Sequence, residues 1–433
     1  MATLDQNKKY HLLLYLISPI MGLIYGIRTK NQKYVRWSIF IFVFIYGAVL
    51  HPSHLGDGAT HFERLSYYSH LSFSQFWNDL ISILSFIPTQ FTNDDPYIHI
   101  LSYVTTGIFN RPSLFFVGVA FVFAYFYSGA IVMLLSYVNW KSKYNKFYFT
   151  FFLVFLLLWQ NPGHMQSVRL GTAIWVVIYA IMAYHKTNKI KYVILLLLTP
   201  LVHFAFLIII LPFCLVLFTG YRKPMLYFIV FMISILSTNL INSSRVNDVL
   251  SQTEIGVKKV KSYTLDDARI ESFAEFREEQ VEKSRFYKVY QANNTHYNVL
   301  TVFIIFIFLF SRKKGFGEIE NTLFSYGLAG ASAANFLRFN FALYNRIWVI
   351  ATIFILILGV VFLSKHRLNS SSVSFLKIRL PLFIFVIALL PYLFYQFSAF
   401  LNFSSIYSIF MPLVMLVEYD MGLSIRGFIG LFL

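Results

Sequence analysis

Charge is what this 433-residue chain has least of: Asp, Glu, Lys and Arg make up 13% of it, about half the fraction of an ordinary soluble globular protein. With 58% hydrophobic and 19% aromatic residues, a water-soluble fold is excluded, because so much apolar surface cannot be hidden from water. Cysteine is reduced to one residue, Cys214, inside an apolar run. That excludes an intrachain disulfide and marks a small buried hydrophobe rather than a catalytic thiol. No Gly-rich phosphate loop, GxSxG elbow or HExxH helix occurs, which argues against soluble nucleotide hydrolysis and zinc proteolysis. His51, His54, His61 and Asp57 match no metal-ligand spacing, so neither a metal nor a cofactor is expected. Internal repeats are lacking too.

Apolar runs long enough to cross a hydrocarbon core fill the remainder, for example 113–137, 225–241 and 347–363. The first run, 11–27, lacks the small-residue cleavage site of a secretory signal and reads as retained. A formal charge of +17 would suggest nucleic acid in a soluble protein; here its distribution points to topology and to no nucleic-acid partner. Basic clusters fall in alternate connections: Arg28, Lys30, Lys33 and Arg36; Lys141, Lys143 and Lys146; Lys186, Lys189 and Lys191; Arg222 and Lys223; Arg312, Lys313 and Lys314; Lys365, Arg367, Lys377 and Arg379. The positive-inside rule places these in the cytoplasm and the N-terminus outside, with Lys8 and Lys9 against the rule.

The expected spans are about 11–27, 35–50, 113–137, 146–160, 168–184, 191–202, 203–219, 225–241, 298–311, 319–341, 347–363, 380–397 and 406–420. The pair 191–219 reads as a helical hairpin with Thr199 to His203, including Pro200, at its outer apex. The expected fold class is an all-α polytopic membrane protein of about 12–14 transmembrane or re-entrant helices, a single integral domain over 1–433 with two larger outer-face segments. The first, 51–110, opens with HPSHLGDGATHFERLSYY, continues with helically spaced apolar residues over 73–86 that suggest an amphipathic interfacial helix, and includes 97–109, too short to span. The second, 242–298, is dense in Glu, Lys and Arg and forms a helical cap or flap.

Outer-side charges have no topological reason to exist, so they are the functional candidates. Arg64, Arg169, Arg338 and Arg346 are in this group, and a guanidinium fork matches phosphate oxygens. A lipid-linked diphosphate would lie at the depth of these helix ends. Snorkelling to headgroups is the plainer account of each arginine alone. Acid–base candidates are Asp57 and His61, four apart; His164, five residues before Arg169; and His203 at the apex. Packing would equally explain a lone histidine, and helix capping would explain Asp57. Asp94 and Asp95 precede Pro96 and read as caps of the helix that follows. Tyr67, Tyr68 and Trp77 could stack on sugar rings.

Four of these stretches, in order, resemble motifs of the EpsG-like and Wzy-type bacterial polysaccharide (O-antigen, capsule or exopolysaccharide) polymerases. GDGATHFERLSYY resembles the family's Gly-x-Asp followed by tyrosines, VRLGTAIWVVIYA its Arg-x-Gly-x-Ala helix start, TPLVHFAFLIIILP its hairpin histidine and YNRIWVIATIFIL its late arginine-bearing helix. His61 stands near the place where a tyrosine is common, and the charged segment 242–298 is variable in such proteins, so acceptor recognition does not carry over.

The resemblance implies a GT-C-like fold in a bacterial plasma (inner) membrane and a polymerase joining polyprenyl-diphosphate-linked oligosaccharide repeats on the outer face. Asp57, Arg169, His203 and Arg346 would be its catalytic set, and Arg64, Arg338, His61, Tyr67, Tyr68 and His164 would contact substrate. Membrane lipids, the lipid-linked donor and acceptor, a flippase and a chain-length regulator would be the partners. A lipid-linked oligosaccharide flippase, an O-antigen ligase-like enzyme and another GT-C glycosyltransferase are the competing readings.

Overall fold

The computed structural model describes residues 12–29, 31–50, 61–62, 64–87, 95–140, 145–237, 295–338, 340–366, 379–410, 412–413 and 424–430. Among these residues the chain is helical, without a strand; Ser405 and Ser424 form an isolated antiparallel bridge. The helices are α1 Pro19–Arg28, α2 Gln32–Ala48, α3 Leu65–Tyr68, α4 Phe73–Leu84, α5 Pro96–Ser102, α6 Leu114–Ser136, α7 Lys146–Trp159, α8 Val168–Thr187, α9 Lys191–Leu197 and α10 Phe206–Ile209. They continue with α11 Leu211–Thr219, α12 Pro224–Ser237, α13 Thr295–Lys314, α14 Glu318–Phe336, α15 Phe341–Lys365, α16 Leu380–Phe403 and α17 Ile425–Gly430. α6, α8, α16 and the stretch Ala342–Lys365 of α15 are long and apolar enough to cross a membrane, and Lys191–Leu201, Phe206–Thr219, Pro224–Ser237 and Thr295–Leu309 are shorter apolar helical stretches. This is the make-up of an all-α membrane protein.

The chain divides into two compact units: 1–137, 160–210 and 396–433 form the first, and 138–159 and 211–395 the second. The division falls between Ile210 and Leu211, inside the expected hairpin 191–219. That stretch consists of α9, a 3-10 turn at Thr199–Leu201, α10 and α11. Pro200 belongs to that turn, and because proline cannot donate to a helical ladder the break falls where the apex is expected.

In the first unit, α2 and α8 pack on α6, and α8 is buried almost continuously from Gly171 to Ala183. The second unit is built on α14 and α15. Glycines of α14 admit the neighbouring helix closely: a Cβ on Gly327 or Gly330 would stand 2.9 Å from Ile355 or Ala351. Small residues let two helix backbones approach in this way, so α14 is an interior helix despite its modest hydropathy. The expected crossing at 406–420 starts as a 3-10 turn, Ile406–Ser408, and Ser424 pairs with Ser405; residue 411 and residues 414–423 lie outside the described residues. Of the second polar segment, 242–294 lies outside the described residues, and α13 begins at Thr295.

α4 forms where the apolar spacing places it. Ser72 and Gln75 make a reciprocal capping box, and Phe76, Leu80 and Ile83 turn inward.

Candidate functional site

The first unit carries a buried cluster assembled from three distant segments. Asp95 occupies the N-cap position of α5 with an extended backbone, before Pro96, but its side chain makes no bond to its own helix. Instead its Oδ2 accepts from Arg169 NH1 at 3.1 Å and from His203 Nδ1 at 2.9 Å, and its Oδ1 accepts from the Phe204 N–H at 2.8 Å. The expected cap is therefore corrected: charge-assisted bonds to a guanidinium and an imidazole outcompete neutral N–H groups of the helix.

Local sequence explains how each partner arrives. Asn161 accepts from the Gly163 N–H at 2.8 Å and opens the 3-10 turn Pro162–Gln166, which delivers the chain into α8 with Arg169 as its second residue. Gly171 is required there, since a Cβ would fall 2.2 Å from the His164 carbonyl oxygen. This gives the glycine of the Arg-Leu-Gly stretch a packing reason. His203 and Phe204 follow the 3-10 turn Thr199–Leu201 after its C-cap Val202.

The side chains of Asp95, His203 and Arg169 are 3%, 8% and 16% exposed, so the carboxylate is enclosed and the Arg169 side chain is the most exposed of the three. Burial pulls the Asp95 carboxyl upward in pKa, but the His203 bond and charge, then Arg169 and the Phe204 N–H, outweigh it and hold the group below the usual carboxylate range. An ionised carboxylate only accepts hydrogen bonds, so the proton of the Asp95–His203 bond belongs to Nδ1. In a neutral His203 ring the basic nitrogen is then Nε2.

α5 is itself clamped by His99, a residue with no local sequence signal. Its Nε2–H donates to the Phe76 carbonyl at 3.1 Å, its Nδ1 accepts from the Tyr68 hydroxyl at 3.1 Å, and its ring stacks on Phe76 with centroids 4.9 Å apart. α3, α4 and α5 are thereby joined four residues from Asp95. Tyr68 is buried with Phe76, Leu80 and Tyr103; its ring belongs to this framework and is not presented for sugar stacking. Tyr67 is partly exposed and donates to Asp79 Oδ2 at 3.0 Å.

Of the other candidates, His61 is buried, Arg64 is partly exposed just before α3, and His164 lies in the 3-10 turn. His164 is partly buried; burial pushes its pKa down to about 4 against the opposing effect of a bond with Gln396, so it is neutral at pH 7. Arg338 is exposed just beyond α14 and Arg346 is partly exposed in α15, both in the second unit. Asp57 lies outside the described residues, as do Glu63, His51 and His54. The structure thus joins Arg169 and His203 through a carboxylate that sequence reasoning assigns elsewhere. Among the described residues no three His, Cys, Asp or Glu side chains gather as a metal would require.

No family model matches the chain, and no curated protein or solved structure matches it.

Proposed function

We propose that the chain is a membrane glycosyltransferase that joins polyprenyl-diphosphate-linked oligosaccharide repeats, with His203 as proton acceptor, Asp95 as its positioning carboxylate and Arg169 as the group facing the leaving diphosphate. The single observation that carries this reading is the Asp95 carboxylate shared between Arg169 and His203, two residues of the motifs that resemble the polymerases. In the reaction, a sugar hydroxyl on one repeat attacks the anomeric carbon of the growing chain. The new glycosidic C–O bond forms as the bond to diphosphate breaks, and the electron pair leaves with polyprenyl diphosphate. The hydroxyl proton passes to Nε2 of His203, whose tautomer Asp95 holds. A guanidinium has five N–H donors, so the bond to Asp95 is compatible with an anionic second partner; preorganised donors of this kind stabilise charge that develops in the transition state. Of the acid–base candidates Asp57 and His203, this assignment takes His203, because a carboxylate orients its ring. Arg346 and Arg338 have no part in the assignment, which uses the first unit alone.

The test is the product made by purified protein in lipid from a defined polyprenyl-diphosphate oligosaccharide. A ladder of longer chains is expected. Unchanged substrate moved between leaflets would replace the reading with a flippase, and transfer of a single unit to a different acceptor would replace it with a ligase.

A further inference from the structure

α4 carries an apolar arc too wide for the protein surface it packs on. At about 100° per residue, Phe76, Leu80 and Ile83 share one arc and are buried. The adjoining arc holds Phe73, Trp77, Ile81 and Leu84, spaced four, four and three residues apart, and these are 67%, 51%, 48% and 47% exposed. Ser74, Gln75, Asn78, Asp79 and Ser82 complete the circumference. A helix lying between protein and water needs only two kinds of face; this one has three.

We propose that the Phe73–Trp77–Ile81–Leu84 stripe of α4 lies in the interfacial layer of the lipid bilayer, docking the helix flat on the membrane beside the ends of α6 and α8. Four observations commit the stripe to lipid. α4 is bound through His99 to α5, and α5 packs on α6 and α8, both long and apolar enough to cross the membrane. The Arg169 that α5 meets through Asp95 is the second residue of α8, so α4 is tethered at the level where that helix ends. Ile87, three residues past the stripe, is 57% exposed, and Ile100 on the α5 that holds this helix is 44% exposed. Finally, at 12 residues α4 is too short to span, while an apolar face bearing tryptophan beside a polar arc is what an interfacial helix presents. The carbonyl that His99 grips belongs to Phe76 of this same helix, so docking also steadies α5. The proposal does not depend on the glycosyl-transfer reading.

The experiment uses a Cys214→Ser background with one new cysteine at a time, Phe73→Cys, Ile81→Cys or Asn78→Cys, each carrying an environment-sensitive fluorophore in proteoliposomes. A quencher attached to the lipid acyl chain is expected to remove most of the emission at 73 and 81 and little at 78, with aqueous iodide giving the reverse order. Iodide quenching at 73 and 81 without acyl-chain quenching would overturn the proposal, as would equal quenching at all three positions. Protection from both quenchers that is lost on dilution in lipid would also overturn it, by making the occupant a second copy of the chain.

Discussion

Two carboxylates are equally buried, one in each unit, and they are used differently. Asp95 in the first and Glu320 in the second are both 2% exposed, and each meets a histidine and a backbone N–H. Glu320 serves its own helix: Oε2 accepts from the Gly317 N–H at 2.7 Å, three residues away, and Oε1 lies 3.1 Å from His366 Nε2 at the end of α15. Asp95 occupies a cap position, yet its side chain makes no bond to its helix; its side-chain bonds run to residues 74, 108 and 109 positions away, and one partner is permanently charged. Burial by itself therefore does not mark a site. An acid that abandons its local role for a distant cation and imidazole does, because such an arrangement costs a helix cap and is kept only where the tertiary contact returns more.

The largest expected effect follows from that difference. Removing one partner of a buried ion pair leaves an uncompensated charge and typically costs about 3–5 kcal/mol. Asp95→Ala should lose stability of that order in denaturant unfolding in detergent, and a loss as small as that of a surface substitution would erase the distinction from Glu320. Next comes Gly171→Ala, which drives a methyl into the His164 carbonyl at the start of α8; overpacking of this kind costs about 1–3 kcal/mol. It should also displace Arg169 from Asp95, detectable as a smaller additional penalty when Asp95→Ala is combined with it. Additive penalties would show that the two positions are independent.

Glu320→Gln should cost less, about 1 kcal/mol, since the amide oxygen still accepts from the Gly317 N–H and only the bond with His366 changes character. A penalty equal to that of Asp95→Ala would mean that the second unit holds the more demanding site. The smallest effect is the pH dependence. The folded Asp95 carboxyl sits below the unfolded value of about 3.9, so its contribution is fully present above about pH 4 and is lost as the pH falls through the folded value, where the unfolded chain has already taken its proton. The stability gap between the parent and Asp95→Asn should narrow on acidification below about pH 4. A gap independent of pH would contradict the ionised assignment.

Much of the scaffold was legible in the sequence because its causes are local. The capping box and apolar spacing of α4, the proline break of the hairpin and the apolar lengths of α6, α8 and α15 all follow from residues a few positions apart. The expected site was half legible: Arg169 stood out as an outer-side charge and His203 as a polar residue at a proline-broken apex. Asp95 was hidden because Asp before Pro is the ordinary signature of a helix start, and nothing local reveals partners more than 70 residues away. Tyr68 and His99 illustrate the same limit. A tyrosine pair after a polar loop fits both sugar stacking and packing, and only the fold shows that the Tyr68 ring is buried and bonded to the His99 that also grips Phe76.

The central claim is that Asp95 orients His203 for proton transfer, and the most direct test is the rate of glycosyl transfer by Asp95→Asn, with correct insertion and folding verified, against the parent in the same lipid. General-base catalysis is worth about 10²–10⁴-fold, so the variant should lose at least the lower figure while still binding lipid-linked substrate. Transfer at the parent rate by folded Asp95→Asn would contradict the account.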